Sequence, residues 1–199
     1  MPSGIEGKTS GAPIESGVVD GPRIGTLTMV PARDRPDLLA DPVSRALAER
    51  PEGEVYVAEI DPDLADTAQF CAAYDVPLEV SANCVVVAGR RGGEQRVAAC
   101  MVLATTRADV NGVVRRRLDA RKASFMPMDD AVVATGMEYG GITPIGVPPD
   151  WPILVDPGVA ELPYAIIGSG VRRSKLAVPG RGLADWPRAE VVEGLGRGA

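Results

Sequence analysis

Hydrophobic and polar residues follow each other along this chain in short periodic segments, which predict helices interspersed with strands. An apolar side predicts a helix over Asp37–Glu49, which Pro51-Glu52-Gly53 ends. Asp61-Pro62 places an acid at the N-cap and proline at the first helical position, so a second helix is expected from there to about Tyr74. Further helices are predicted over Asp109–Leu118 and over residues 128–135.

The strand predictions rest on alternation or on short apolar runs. Val80–Ala88 is almost wholly apolar, as expected for a strand covered on both faces, and Gln95–Leu103 returns after the turn Gly89–Gly93, so the two predict a hairpin. Other strands are predicted over Glu54–Ile60, Lys122–Phe125, Pro152–Val155, Tyr164–Ile167, Lys175–Val178 and residues 191–192. Because the elements do not follow a regular βαβ repeat, they predict an α+β fold with a bent, mixed sheet.

Length and composition limit the classes of protein. A chain of 199 residues usually forms one domain, and residues 1–22, rich in Gly, Ser and Pro, are expected to be a disordered tail. No apolar run approaches the roughly 18 residues that span a bilayer, and the N-terminus lacks the pattern of a signal peptide. We therefore expect a cytoplasmic protein without a membrane segment.

The residue types that are missing exclude several kinds of catalysis. The chain has no histidine, which excludes Ser-His-Asp and Cys-His catalysis. Without a Cys-x-x-Cys pair as well, neither a zinc site nor any other metal or cofactor is expected. The three cysteines are expected to be reduced, although Cys84 and Cys100 lie about equally far from Gly92 and would face each other across the hairpin. A net charge of −6 argues against non-specific binding to duplex nucleic acid.

The segment Thr135–Gly146 combines glycine and proline with apolar residues. Glycine occurs where the backbone needs a positive φ or where another group approaches it closely. Gly136 is interpreted as the residue that ends the preceding helix. Gly140-Gly141 and the turn Thr143–Gly146 are consistent either with a structural turn or with a pocket rim whose backbone N–H groups face a carbonyl or a phosphate.

Several such features follow one another in a fixed order. They are a polar Asn83 in an apolar strand, Lys122, the helix end Thr135-Gly136, the loop Gly140–Pro144, Asp156, and the turn Gly168-Ser169-Gly170. This order resembles the YbaK/prolyl-tRNA synthetase-associated editing domain family, whose hallmarks are a Gly-x-x-x-Pro loop after a Thr-Gly helix end, an acid about twelve residues later, and a glycine-containing turn between strands. The resemblance covers about residues 52–195, which we interpret as an editing domain preceded by an extension, residues 23–51, with one helix.

The resemblance implies a fold and a reaction. The fold is a mixed, strongly curved and partly barrel-like sheet around a pocket, with helices packed outside. The reaction is hydrolysis of the ester between a wrong amino acid and the 3′-terminal adenosine of a tRNA, so the expected partner is the 3′ end of a mischarged tRNA. Members of the family need no metal and no covalent nucleophile. Neither the sequence nor the resemblance indicates an oligomeric state.

The resemblance also implies roles for residues of this chain. The predicted catalytic residues are Asn83, Gly140, Gly141, Thr143 and Asp156. The predicted substrate-binding residues are Lys122, Thr135, Pro144, Ile145, Gly146, Gly168, Ser169 and Gly170. Backbone N–H groups of Gly140–Gly146 would stabilise the oxyanion, and the neighbouring ribose hydroxyl would orient the attacking water, which makes the reaction substrate-assisted.

One position departs from the family, and structural alternatives remain for others. Many members carry a lysine where this chain has Asn83, which keeps hydrogen-bonding groups but loses the charge. The alternative function is therefore a catalytically weak binding module that holds an aminoacyl or nucleotide-like ligand or a protein partner. In the structural alternatives, none of these four residues binds a substrate. Asn83 would be a core residue that hydrogen-bonds to backbone, and Asp156 would start a turn. Lys122 would be a surface lysine, and Thr135 would only complete a helix end.

Overall fold

The structure is a computed structural model that describes residues 21–50 and 54–198. The predicted tail over residues 1–20 and the predicted helix end at residues 51–53 lie outside the described residues. The helices are α1 (Asp41–Ala48), α2 (Thr67–Tyr74), a π-helical turn (Val110–Val114) continued by α3 (Arg115–Arg117), α4 (Met128–Thr135), α5 (Pro157–Ala160) and α6 (Gly180–Ala184). The strands are β1 (Val30–Pro31), β2 (Tyr56–Glu59), β3 (Ala82–Arg91), β4 (Glu94–Leu103), β5 (Thr106–Ala108), β6 (Lys122–Phe125), β7 (Ile153–Val155), β8 (Ala165–Gly168), β9 (Ser174–Val178), β10 (Ala189–Val191) and β11 (Gly196–Gly198).

The strands form two main sheets, so the fold is α+β, as predicted. An antiparallel sheet has the order β1-β2-β9-β8. A mixed sheet has the order β10-β7-β4-β3-β6, in which β3 alone runs opposite to the other four strands. A single bridge, Ser81 to Ile166, joins the start of β3 to β8. The expectation of one curved, partly barrel-like sheet is not confirmed, because the described strands divide between these sheets and a short β5–β11 pair.

The β3–β4 hairpin is confirmed, and its register decides how the cysteines are placed. Gly92 and Gly93 form the turn with φ of +59° and +90°, a conformation that favours glycine at both positions. Cys84 pairs with Met101 and Cys100 pairs with Val85, so the two thiols point to opposite faces of the sheet. The expectation that they face each other is wrong, whereas the prediction of free cysteines is confirmed.

Two helices begin later than the sequence predicted. Pro36–Leu38 forms a 3₁₀ turn, and α1 begins only at Asp41. Asp61 likewise starts a short 3₁₀ turn, and α2 begins after a second capping acid, Asp66, whose carboxylate accepts a hydrogen bond from the N–H of Ala68 (3.2 Å). In the second segment two acids, Asp61 and Asp66, each cap a helical turn, and the later one begins the longer helix.

The main core lies between the two sheets and includes the N-terminal segment. Met101, Ile153 and Leu176 are fully buried in it, and Leu38 and Val43 from residues 21–50 belong to the same cluster. The division into extension and editing domain remains a prediction. A smaller cluster under α2, which includes Phe70 and Ile166, adjoins the start of β3. No helix in the described part of the chain is both long and apolar enough to cross a membrane.

Candidate functional site

A cavity of about 250 Å³ lies where the start of β3 meets β8 and β9. Four short stretches of chain and two basic side chains contribute to its walls. They are residues within 65–70, 81–84, 139–142 and 166–168, together with Arg172 and Lys175. The cavity therefore lies across the single bridge between the two sheets, under α2 and the first half of the glycine-rich loop.

Asn83 lines this cavity from β3. Its side-chain oxygen accepts a hydrogen bond from the hydroxyl of Thr67 at the start of α2 (2.9 Å). Its amide nitrogen donates no hydrogen bond to the part of the chain that the structure describes. Asn83 is therefore oriented by a side chain rather than by backbone, with its two N–H donors left for a ligand.

The glycine-rich loop presents alternate residues to the cavity. Gly140, with φ of +82°, and Ile142 line it, and neither backbone N–H is used in a hydrogen bond between described residues. Gly141 between them faces the protein, because its N–H donates to Glu138 (3.0 Å) and its carbonyl accepts from Gly170 (2.7 Å). Of the predicted oxyanion donors in the first half of the loop, the N–H groups of Gly140 and Ile142 are the available ones.

The second half of the same loop packs into the protein. Thr143 and Ile145 are fully buried, Pro144 is buried, and none of them lines the cavity. The hydroxyl of Thr143 has no hydrogen-bond partner among the described residues. Gly146, with φ of +85°, lies so close to α1 that a Cβ there would be 2.5 Å from the carbonyl oxygen of Pro42. This half of the loop supports the rim and does not line the cavity.

In the second glycine turn, Gly168-Ser169-Gly170, one residue lines the cavity and two pack into the protein. Gly168 lines the cavity. Ser169 is fully buried, and its hydroxyl bonds to the hydroxyl of Ser174 (2.7 Å) and to the carbonyl oxygen of Val171 (3.1 Å). Gly170 adopts φ of +88° against Ala40. Ser169 and Gly170 therefore shape the turn and do not face the cavity.

The other predicted site residues, Asp156, Thr135 and Lys122, do not line the cavity. The carboxylate of Asp156 accepts hydrogen bonds from the N–H groups of Gly158 (3.0 Å) and Gly196 (2.7 Å), which caps α5 and holds β11. The hydroxyl of Thr135 donates to the carbonyl of Ala131 (2.7 Å) at the end of α4, whose next residue, Gly136, has φ of +66° and ends the helix as predicted. Lys122 is exposed at the start of β6.

Replacing Asp156 with alanine should therefore affect stability rather than chemistry. The loss of the helix cap and of the hydrogen bond to Gly196 should lower the free energy of unfolding by about 1–2 kcal/mol. Urea unfolding followed by circular dichroism measures this change. Asp150→Ala, at an exposed position in a turn, is the matched control and should be neutral. A loss of activity by Asp156→Ala without a loss of stability would contradict this placement.

Two basic residues of the site were not predicted. Lys175 on β9 is only 7% exposed, and its Nζ donates to the carbonyl of Ala65 (2.9 Å) and lies 5.2 Å from the centre of the Phe70 ring. Burial lowers the pKa of Lys175 from 10.5 to about 8. Arg172 donates from Nη2 to the carbonyl of Pro62 (2.9 Å) and from Nη1 to that of Tyr139 (3.3 Å), which links the loop to the turn before α2. The burial of Lys175 could have been suspected from the sequence, because it is the single charged residue in the predicted strand Lys175–Val178.

Neither a thiol nor a cluster of metal-binding side chains adds reactivity to the cavity. Cys84 lines it, but burial and the neighbouring Cys100 raise the pKa of the Cys84 thiol. Because the thiolate is the nucleophilic form, this cysteine is a poor nucleophile at neutral pH. Residues 21–50 and 54–198 contain no group of three or more His, Cys, Asp or Glu side chains that could hold a metal ion.

Comparison with known proteins identifies a family and a fold. The aminoacyl-tRNA editing domain family matches residues 61–186, which is more than half of the chain. A candidate trans-editing enzyme for prolyl tRNA synthetase is 21% identical, with a TM-score of 0.67 over 80% of this chain and 97% of that one. Hypothetical protein APE2540 is 18% identical, with a TM-score of 0.69 over 79% of this chain and 100% of that one. At these identities the likeness to the two solved structures establishes the fold. No curated protein sequence matches the chain significantly.

Proposed function

We propose that this chain, which belongs to the aminoacyl-tRNA editing domain family, is a trans-acting aminoacyl-tRNA deacylase that hydrolyses the ester of a mischarged tRNA. The observation that carries the proposal is a set of unused hydrogen-bond donors around one cavity. They are the backbone N–H groups of Gly140 and Ile142 and the side-chain amide of Asn83. Donors of this kind are what an acyl-transfer site presents to a carbonyl oxygen as it becomes negatively charged.

In this mechanism the protein positions the ester and stabilises charge, and it forms no covalent intermediate. The N–H groups of Gly140 and Ile142 bind the ester carbonyl oxygen and stabilise the oxyanion that forms when water attacks. Asn83, oriented by Thr67, donates to the aminoacyl group and holds it against the loop. The ribose hydroxyl beside the ester orients the water. An aminoacyl ester is already activated, so orientation supplies much of the remaining rate acceleration.

Selection of the amino acid follows from the size of the cavity. A volume of about 250 Å³ has room for a small aminoacyl group. Phe70, Ile142 and Ile166 contribute apolar walls that admit a small side chain and exclude a larger one. Exclusion by size is how an editing site spares the correctly charged tRNA when the cognate amino acid is the larger of the two.

Direct assay of deacylation tests this proposal. A panel of tRNAs, each carrying a small amino acid, is incubated with the protein, and release of the amino acid is measured against time. Asn83→Ala should reduce kcat/KM for the best substrate by about 10- to 100-fold, because it removes hydrogen-bond donors that hold the aminoacyl group against the loop. Asn111→Ala, the exposed second asparagine of the chain, should have no effect.

The second candidate function is a binding module of the same fold. A neutral Asn83 stands where many editing proteins have lysine, and this favours holding a ligand without efficient hydrolysis. An aminoacyl-adenosine analogue with a non-hydrolysable amide link separates the two functions. Binding of this analogue without acceleration of any deacylation reaction would support the module and rule out the enzyme.

A further inference from the structure

Lys175 is a buried cation that forms no ion pair with a described residue, although Asp66 lines the same cavity. None of the ion pairs among the described residues includes it, and its Nζ makes one hydrogen bond, to a neutral backbone carbonyl of Ala65. An ammonium group has three N–H donors. Two of its donors are therefore unused by these residues, although the side chain is only 7% exposed.

A purely structural role explains this arrangement poorly. A charged group taken out of water without a charged partner is unfavourable, and one hydrogen bond to a carbonyl does not offset that cost. The contact of the Lys175 Nζ with the Phe70 ring offsets only part of the remaining cost of burying the charge. An anion that enters the cavity would supply the missing partner.

The position of Lys175 indicates which ligand it meets. Lys175 enters the cavity from β9 of the antiparallel sheet, and Asn83 enters it from β3 of the mixed sheet. The unused donors of Gly140 and Ile142 line the same cavity. A substrate that places its ester against the loop therefore also brings its neighbouring groups within reach of the ammonium.

We propose that Lys175 binds an anionic oxygen group of the substrate, either a phosphate of the terminal nucleotide or the side-chain carboxylate of an acidic amino acid. The identity of the substrate rests on the proposed function, whereas the binding of an anion at Lys175 does not require hydrolysis. Lys175, beside Arg172, thus gives this cavity positive charge that Asn83 does not provide. The residue holds the substrate and takes no part in bond breaking.

Titration with small ligands distinguishes the two sources of the anion. AMP, adenosine and aspartate α-methyl ester, whose free carboxylate is that of the side chain, are titrated at pH 7 into the full chain and into Lys175→Met, with Arg181→Gln as a control at an exposed position in α6. If the anion is the phosphate, AMP should bind at least about 10-fold more tightly than adenosine, and Lys175→Met should abolish this difference. If it is the side-chain carboxylate, binding of aspartate α-methyl ester should depend on Lys175 instead. Equal affinities of the full chain and Lys175→Met for all three ligands would overturn the proposal.

An exchange of side chains across the cavity tests the position of the charge. Lys175→Asn alone should lower the affinity for the anion by about 10-fold or more. The double variant Asn83→Lys/Lys175→Asn moves the ammonium to β3 within the same cavity and should recover a large part of that affinity. Failure of the double variant to recover it, with both variants folded by circular dichroism, would argue against an ammonium as the binding group.

These outcomes separate the inference from the proposed function. If Lys175-dependent binding is found but no tRNA is deacylated, the deacylase proposal fails and the anion site stands. If deacylation proceeds and Lys175→Met retains the wild-type KM, the anion site fails and the deacylase proposal stands. A raised KM with little change in kcat is the expected result for a residue that binds substrate and does not enter the chemistry.

Discussion

Replacement of Lys175 with methionine is expected to raise the free energy of unfolding by about 2 kcal/mol at pH 7. Burial lowers the pKa of Lys175 from 10.5 to about 8, and this difference corresponds to a cost of about 3 kcal/mol for keeping the folded side chain charged. Methionine has a similar shape and no charge, so it removes this cost. The hydrogen bond to the carbonyl of Ala65 is lost as well, which offsets about 1 kcal/mol of the gain.

The advantage of methionine should decrease as the pH rises. The unfolded chain loses the Lys175 proton near pH 10.5 and the folded protein near pH 8. Between these values the unfolded chain binds more protons, so the stability of the unmodified protein increases with pH. Below about pH 7 the Lys175 side chain is protonated in both the folded and the unfolded state, so the whole cost of burying its charge is present. The difference between the two proteins should therefore shrink by about 2 kcal/mol between pH 7 and pH 10.

Groups around Lys175 act on its pKa in both directions. Desolvation has the largest effect and lowers it; Cys71 and Asp66 on the α2 side raise it, and Arg172 lowers it.

Urea unfolding of the unmodified protein and of Lys175→Met at pH 7 and pH 10 measures the predicted change in stability. Lys122→Met, at an exposed lysine, should show no such pH-dependent difference. A pH-independent difference would mean that Lys175 is not a buried charge. A more stable variant that binds its anion less well would show that the charge is kept for function at a cost in stability.

Elements specified by neighbouring residues could be predicted from the sequence. The β3–β4 hairpin follows from two apolar strands around Gly92-Gly93, and the end of α4 follows from Gly136, because both signals are local. The division into two sheets could not be predicted in this way. The two sheets meet at the bridge between Ser81 and Ile166, which are far apart in the chain, so no local pattern indicates it.

In the candidate site, the residues that form the cavity could be predicted in part, but the orientation and burial of individual groups could not. The order of Asn83 and the glycine-rich loop indicated a cavity, and both contribute to its walls. The orientation of each peptide in the loop could not be predicted, because it is set by the hydrogen bonds that Gly141 makes with Glu138 and Gly170. The burial of Lys175 depends on the packing of Phe70 from α2 over β9, so its sequence position alone predicted only a strand residue.

Replacement of Gly168 with alanine is expected to lower the free energy of unfolding by about 3 kcal/mol or more. A Cβ at this position would lie 2.7 Å from the carbonyl oxygen of Ile142 and well inside contact distance of the carbonyl oxygen of Gly141. Both neighbours are backbone atoms, which cannot rotate away as a flexible side chain can. The strand β8 and the glycine-rich loop would therefore have to separate. Gly182→Ala is the matched control, because its Cβ would meet no heavy atom closer than 3.8 Å and the position lies within α6, where alanine is favourable.

The same substitution should also impair the site in molecules that remain folded. The carbonyl of Gly141 accepts a hydrogen bond from Gly170 (2.7 Å), so the glycine-rich loop and the turn after β8 are joined at the rim of the cavity. Separation of the two would move the N–H groups of Gly140 and Ile142 away from the ester, and a displacement of about 1 Å can cost on the order of 100-fold in rate. Urea unfolding and deacylation, measured on the same Gly168→Ala preparation well below its unfolding midpoint, test both effects. Wild-type stability together with wild-type activity would show that the close approach of these two segments is not what holds the rim in place.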